Sequence, residues 1–208
     1  MDTEHDSTGV TPARVAVVYY SATSTVAALA RLVAEGASDR GADVRLRRIP
    51  ELAGAEAISA NPKWRAHADA DQETPEAAIE DVLWADAVIL GSPTRFGSVT
   101  HQAQRFIDSL GGPWMRGDLA GKVYSCFTSA STPHGGHETT LLSLFTTFAN
   151  WGGIIVPPGY TSPELLEAGT PLGVTHLARK SAPLSEATIA AARLQGARVA
   201  DVASRLRG

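Results

Sequence analysis

Apolar residues along this chain fall into short β-branched runs, separated by stretches in which they recur every three or four positions. The first run, Val15-Ala16-Val17-Val18-Tyr19-Tyr20, is apolar without a break, which predicts a strand covered on both faces. Behind it, Val26, Leu29, Ala30, Val33 and Ala37 keep helical spacing, and Gly41 is placed to close that helix. Residues 44–49 alternate apolar and charged side chains before Pro50, as an outer strand would. Further unbroken runs cover 87–92 and 123–128, and Ile154-Ile155-Val156 reads as the last core strand. Helices are predicted from Pro75 to near Trp84, from Val99 to Leu110 and from Leu141 to Ala149. A last one starts at Ser185 and Glu186, with Leu194, Val199, Val202 and Leu206 facing inward. Strand and helix alternate five times, the pattern of an α/β fold whose parallel sheet is covered on both faces.

Two segments stand outside this pattern. Residues 1–14 are polar, carry Asp2, Glu4, His5 and Asp6, and read as a disordered tail ahead of a single domain at 15–208. Residues 51–74 are rich in Ala, Asp and Gly without a sustained period and read as a long loop or insertion, of the kind that serves function or assembly.

Composition narrows the function classes. A net charge of -4 over 208 residues leaves no basic footprint for nucleic acid, and no apolar run is long enough to span a membrane. The single cysteine, Cys126, cannot form an intrachain disulfide and lies in an apolar run, which suits a buried small hydrophobe in a reducing, cytoplasmic setting.

In an open parallel sheet, ligands bind beyond the carboxyl ends of the strands, where strand order reverses. Three strand-ending loops carry unusual residues. Ser21, Ala22, Thr23, Ser24, Thr25 and Val26 set hydroxyl side chains, which are neutral donors, and a helix start together, which suits a monophosphate, although an ordinary N-cap has the same composition. Neither the P-loop nor the dinucleotide glycine fingerprint is present there. Pro93, Thr94, Arg95, Phe96 and Gly97 could hold a planar heterocycle, or form a stiff turn with a solvated arginine. Ser129, Ala130, Ser131, Thr132, Pro133, His134, Gly135, Gly136 and His137 combine small residues with two histidines. His134 and His137 lack the further convergent ligands that a metal site needs, and each reads either as a donor to a ring or substrate oxygen or as a surface histidine. Trp114, past Gly111-Gly112-Pro113, reads as a stacking, interface or core residue.

Taken together, Tyr19-Tyr20-Ser21, Val33-Ala34-Glu35-Gly36-Ala37, Pro93-Thr94-Arg95-Phe96-Gly97, Phe106-Ile107-Asp108, Gly169-Thr170-Pro171-Leu172-Gly173 and Ala192-Arg193-Leu194-Gln195-Gly196 resemble the WrbA-type NAD(P)H:quinone oxidoreductases, a branch of the flavodoxin-like superfamily. The resemblance implies a flavodoxin-like three-layer sandwich with a five-stranded parallel sheet. It implies non-covalent FMN, its phosphate at Ser21 to Val26 and its ring between Thr94 to Phe96 and Ser129 to Gly136, and two-electron reduction of quinones by NADH or NADPH. It also implies a homo-oligomer, a tetramer or a dimer, in which a neighbouring subunit helps wall the site. The position of Trp114 would line the substrate pocket, and Thr23 would lie near the nicotinamide nucleotide. The chain departs from the family where a Tyr-Gly pair is replaced by Thr23-Ser24 and a histidine pair by Asn150 and Trp151; Asn150 can still hydrogen-bond to the flavin but cannot titrate. The alternative is a flavodoxin-like electron-transfer or interaction module without turnover of its own.

Overall fold

The computed structural model describes residues 11–179 and 182–207. Strands β1 (Arg14–Tyr19), β2 (Asp43–Arg48), β3 (Ala87–Pro93), β4 (Val123–Ala130) and β5 (Ile154–Ile155) lie side by side in the order β2-β1-β3-β4-β5. All the pairs are parallel. Most of the predicted tail, residues 1–10, lies outside the described residues; Arg14 already pairs with Asp43 in the sheet.

The unbroken apolar runs are explained by two-sided burial. Val15, Val17 and Tyr19 enter one core, while Ala16, Val18 and Tyr20 enter the other. Ala87 and Ile89 against Val88 and Leu90, and Val123 and Phe127 against Tyr124 and Cys126, divide in the same way. Period-two alternation is present, but both phases are apolar because helices cover both faces. The first layer is α1 (Thr25–Ser38) and the C-terminal helix; the second includes α4 (Ile79–Trp84), α5 (His101–Ser109) and α7 (His137–Asn150).

The structure corrects several element predictions. The fifth sheet position is filled by two fragments. β5 pairs with Val123 and Tyr124 at the start of β4, and β6 (Thr175–Leu177) pairs with Thr128 to Ala130 at its end. Between them the chain leaves the sheet and forms α8 (Pro163–Ala168). Ile154 is therefore exposed on the sheet edge rather than in the core.

Residues 51–74 are not a loop: they form α2 (Ala55–Ser59), α3 (Pro62–Ala70) and a 3-10 turn (Asp71–Glu73). No apolar stripe marks α3 because it is anchored by buried His67 and Asp71, four residues apart. Its start was nonetheless written in the chain, since Asn61 accepts from the N–H groups of Lys63 and Trp64 and Pro62 occupies the first turn. Residues 75–78 run extended beside Arg48, so the following helix begins at Ile79.

The last helix, α9 (Glu186–Leu206), starts at the predicted cap, Ser185, and Val199 and Val202 face the core as expected, but Leu194 and Leu206 do not. Its buried stripe is Ala187, Ala191, Ala192, Gln195, Gly196, Val199, Ala200 and Ala203, while Leu194 and Leu206 are exposed. Close approach to α1 selects the small residues: a β-carbon on Gly196 would stand 1.9 Å from the Val33 carbonyl oxygen.

Candidate functional site

Strand order reverses between β2-β1 and β1-β3, so the ends of β1 and β3 diverge and leave a crevice. A cavity of about 200 Å³ opens there. It is lined by Ser21, Ala22, Thr23, Thr25 and Val26 after β1, by Pro93, Thr94 and Arg95 at the end of β3, and by Ser129, Ala130 and Ser131 at the end of β4. The three loops singled out in the sequence thus meet in one place. Ala178 joins them from the end of β6. The short apolar stretch after Gly173 was the available signal for that strand, and it was passed over as connection.

The β1 loop leaves helix donors open. Ser24, the N-cap of α1, sits at φ 71°, and its hydroxyl donates to the Thr23 carbonyl (2.6 Å) instead of receiving a helix N–H. The first turn of α1 has no acidic side chain. At the cap of α7, Gly136 likewise has positive φ, 93°, and offers no side chain. Among the described residues, the other helices of nine or more residues, α3, α5 and α9, are capped by the side chains of Asn61, Thr100 and Ser185. The two long helices whose starts follow β1 and β4 are the ones left uncapped, and unpaired N–H groups at a helix start are a ready site for an anion.

The other two loops are joined to each other. The Thr94 N–H donates to the Ser129 carbonyl (2.9 Å), and Thr94 Oγ1 donates to the Gly135 carbonyl (3.2 Å) while accepting from Thr140 Oγ1 (2.8 Å). Arg95 and Ser98 exchange backbone hydrogen bonds of 2.7 and 3.0 Å around Phe96 (φ 53°) and Gly97 (φ 82°), a turn with two left-handed central residues. Phe96 is fully exposed at its tip. An aromatic residue held in a strained conformation with no core contact is an outlier of the sort found at binding sites.

Behind the β1 loop, the 51–74 segment supplies two carboxylates, half-buried Glu51 and buried Asp71. Glu51 accepts from Tyr20 Oη (2.6 Å), Trp64 Nε1 (2.9 Å), Gln102 Nε2 (2.7 Å) and the N–H groups of Leu52 and Ala53. Burial alone would raise its pKa, but the donors outweigh burial and hold it below the usual carboxylate value. Asp71 accepts from Tyr19 Oη (2.8 Å), Arg31 (3.1 Å) and Thr74 Oγ1 (3.1 Å). Burial and Asp71 together push the Tyr19 hydroxyl up to about 12. His67 hydrogen-bonds the Ser21 backbone from the other side, and its own burial keeps its pKa below the ordinary imidazole value. The insertion therefore braces the loop at Ser21. Sequence reading missed Glu51, His67 and Asp71 because nothing local reveals their distant partners.

Other predicted residues are set apart. Thr132 and His134 are exposed on the β4 loop beyond the cavity lining. Trp114, on α6 (Gly111–Met115), is partly exposed and donates through Nε1 to the Asn150 carbonyl (2.9 Å). Asn150 ends α7, and its amide turns back to the Thr146 carbonyl (2.8 Å). Fourteen residues of helix, about 20 Å, separate it from the Gly136 end, which touches Thr94 of the cleft lining. Within one chain, Trp114 and Asn150 form a pair remote from the crevice. Trp151 is buried against Tyr124 and Phe148, so it is a core residue.

Residues 13–164 match the model of the NADPH-dependent FMN reductase family. The chain belongs to this family. It is 40% identical over 198 residues to an NAD(P)H dehydrogenase (quinone) of Deinococcus radiodurans, covering 95% of this chain and 98% of that protein. Identity is 43% over 203 residues to a protein of the same description from Azorhizobium caulinodans, covering 94% of this chain and all of the other. Among solved structures, a flavodoxin, WrbA-like protein from Agrobacterium tumefaciens superposes with a TM-score of 0.66 at 26% identity, covering 93% of this chain and 98% of that one. The fold is the flavodoxin-like α/β sandwich, in agreement with the expectation from the sequence. Among the described residues, no helix is long and apolar enough to cross a membrane.

Proposed function

We propose that the protein binds FMN non-covalently in this cleft and uses it for the two-electron reduction of quinones by NADH or NADPH. The observation that carries the reading is the uncapped start of α1 in the cleft, beside hydroxyl-rich loops from β1, β3 and β4, with the uncapped start of α7 held next to it through Thr94. The donor set fits the group. A phosphate ester would take the open N–H groups of α1 with the hydroxyls of Ser21, Thr23 and Thr25, Ser24 serving through its backbone because its hydroxyl is held by the Thr23 carbonyl, and Ala22 and Val26 keep that loop compact. Pro93, Thr94, Arg95, Phe96 and Gly97 would flank a planar ring on one side, and Ser129, Ala130, Ser131, Thr132, His134, Gly135 and Gly136 on the other.

When bound, the flavin supplies the redox chemistry by accepting and returning a hydride equivalent. The protein binds, orients and excludes water. Phe96 offers an aromatic face at the mouth of the cleft, and Thr23 borders the entrance for the nicotinamide nucleotide. Trp114 and Asn150, paired far from their own cleft, would wall the cleft of a neighbouring copy in a homo-oligomer, which is where a quinone would stack. No nucleophilic side chain is required. The protein would work in the cytoplasm.

The experiment is reconstitution with FMN followed by visible spectroscopy and assay of NADH and NADPH oxidation with benzoquinone. The expected result is a flavin spectrum shifted from that of free FMN and quinone-dependent oxidation of the nucleotide. Absence of retained flavin after reconstitution overturns the reading, and flavin retention without nucleotide oxidation favours an electron-transfer module.

A further inference from the structure

The phosphate loop separates two cavities. Its inner side lines the cleft already described; its outer side, Thr23, Ser24 and Thr25, lines a second cavity of about 590 Å³. The two share Thr23, Thr25 and Ala178 as a common wall. The second volume lies within the range of roughly 300–1,000 Å³ typical of small-ligand sites.

The lining of the second cavity differs in kind. At Ser21 to Thr25 the inner cleft offers neutral donors, its cation, Arg95, coming from the β3 loop. The outer cavity is bordered by the cationic side chains of Arg31 and Lys63, and no acidic residue is among the described residues lining it. Arg31 directs one guanidinium nitrogen to Asp71 (3.1 Å), and its side chain is 49% exposed, so the rest of its planar fork faces outward. Asp71 itself is turned inward, buried under Tyr19 and Thr74. Ala66 and Ala70, on the same face of α3 as Lys63, and Pro183 and Leu184 add apolar surface to the lining. Cations, apolar surface and hydroxyls in one cavity complement a phosphate ester carrying a flat base.

We propose that this outer cavity is an adenylate subsite, in which Arg31 and Lys63 hold a phosphate and the apolar surface takes the adenosine. The assignment rests on the FMN reading of the inner cleft, because a ligand extended beyond the flavin phosphate enters the outer cavity across Thr23 and Thr25. The adenylate belongs either to a flavin dinucleotide or to the nicotinamide co-substrate.

The test is calorimetric titration of 5′-AMP into the FMN-loaded protein and into the protein without FMN. Saturable binding is expected in both, weakened at least tenfold by Lys63→Glu and by Arg31→Gln. Arg31→Gln also deprives Asp71 of a partner, so urea unfolding of both variants accompanies the titration and separates loss of binding from loss of fold. No saturable binding, or an affinity unchanged in Lys63→Glu, overturns the proposal. Two further arms identify the source. Tighter uptake of FAD than of FMN, abolished in Lys63→Glu, assigns the adenylate to the flavin; competition of 5′-AMP with NADPH or NADH assigns it to the co-substrate. FMN uptake is read separately by flavin fluorescence. Its failure would overturn the proposed function, while the 5′-AMP titration without FMN still decides the subsite.

Discussion

A β-carbon on Gly136 would stand 2.7 Å from the α-carbon of Gly97. The loops after β3 and β4 therefore touch backbone to backbone, and both glycines have positive φ. This contact joins the two loops that carry Thr94 and Ser131 of the cleft lining, and no side-chain rotation can relieve a clash with backbone.

Gly136→Ala is accordingly expected to cost about 1–3 kcal/mol from strain and displacement of the β3 loop. FMN affinity should fall at least tenfold. Urea unfolding measures the first effect and quenching of flavin fluorescence the second. Wild-type behaviour in both would mean that the loops are free to separate.

Ser24 poses the opposite case, since it is not glycine yet occupies a left-handed conformation at φ 71°. Such a conformation costs an ordinary residue about 1–2 kcal/mol, part of which glycine gives back through its greater unfolded-state entropy. Ser24→Gly should stabilise the protein by about 0.5–1 kcal/mol while FMN binds as well or better. A lower urea midpoint in this variant would show that the hydroxyl bond to Thr23 outweighs the backbone strain.

Glu51 links stability to acid. Its donors hold its pKa in the fold below the unfolded value, so its contribution is complete above that value, near 4.3 for a free glutamate, and is lost as pH falls through the folded one. Glu51→Gln leaves the donors of Tyr20, Trp64 and Gln102 sharing a neutral amide oxygen, and should destabilise by about 1–3 kcal/mol at pH 7. The gap between wild type and variant should narrow steadily as pH falls below about 4.3. Denaturation series at pH 7, 5, 4 and 3 would check this, a constant gap being the adverse result.

His67 is expected to act on the phosphate end of the ligand alone. Burial disfavours its charged form, so the unfolded chain takes up the proton first and stability declines as pH drops below the ordinary imidazole value of about 6.5. Because it braces the Ser21 backbone, His67→Ala should weaken FMN several-fold and leave riboflavin nearly unaffected. Equal loss for both ligands would place the effect at the ring instead. The pH dependence between 7 and 5 should also flatten in the variant.

How much of this was legible beforehand depends on the range of the interactions concerned. Val15 to Tyr20 announced a central strand because six successive apolar residues have only one economical burial in an α/β layer structure. The hydroxyls from Ser21 to Thr25 and the Pro93 to Gly97 turn were legible as site candidates because strand-end loops are where a parallel sheet binds. On α9 the pattern placed Val199 and Val202 rightly but not Leu194, which promised burial by hydrophobicity, because contact with the α1 backbone near Gly36 and Val33 admits only small side chains.

By itself, the sequence determined the layer order, the parallel sheet, the three loops at its carboxyl edge and membership of a flavin-binding family. These follow from short-range patterns, namely periodicity, caps and local motifs. Tertiary structure alone decided that α3 folds on His67 and Asp71, that Glu51 gathers Tyr20, Trp64 and Gln102, and that β5 and β6 share one edge. It also placed Asn150 beside Trp114 rather than at its own cleft. Each of these depends on partners tens of residues apart, and a buried polar group reveals its role only when the donor that satisfies it has been brought into contact.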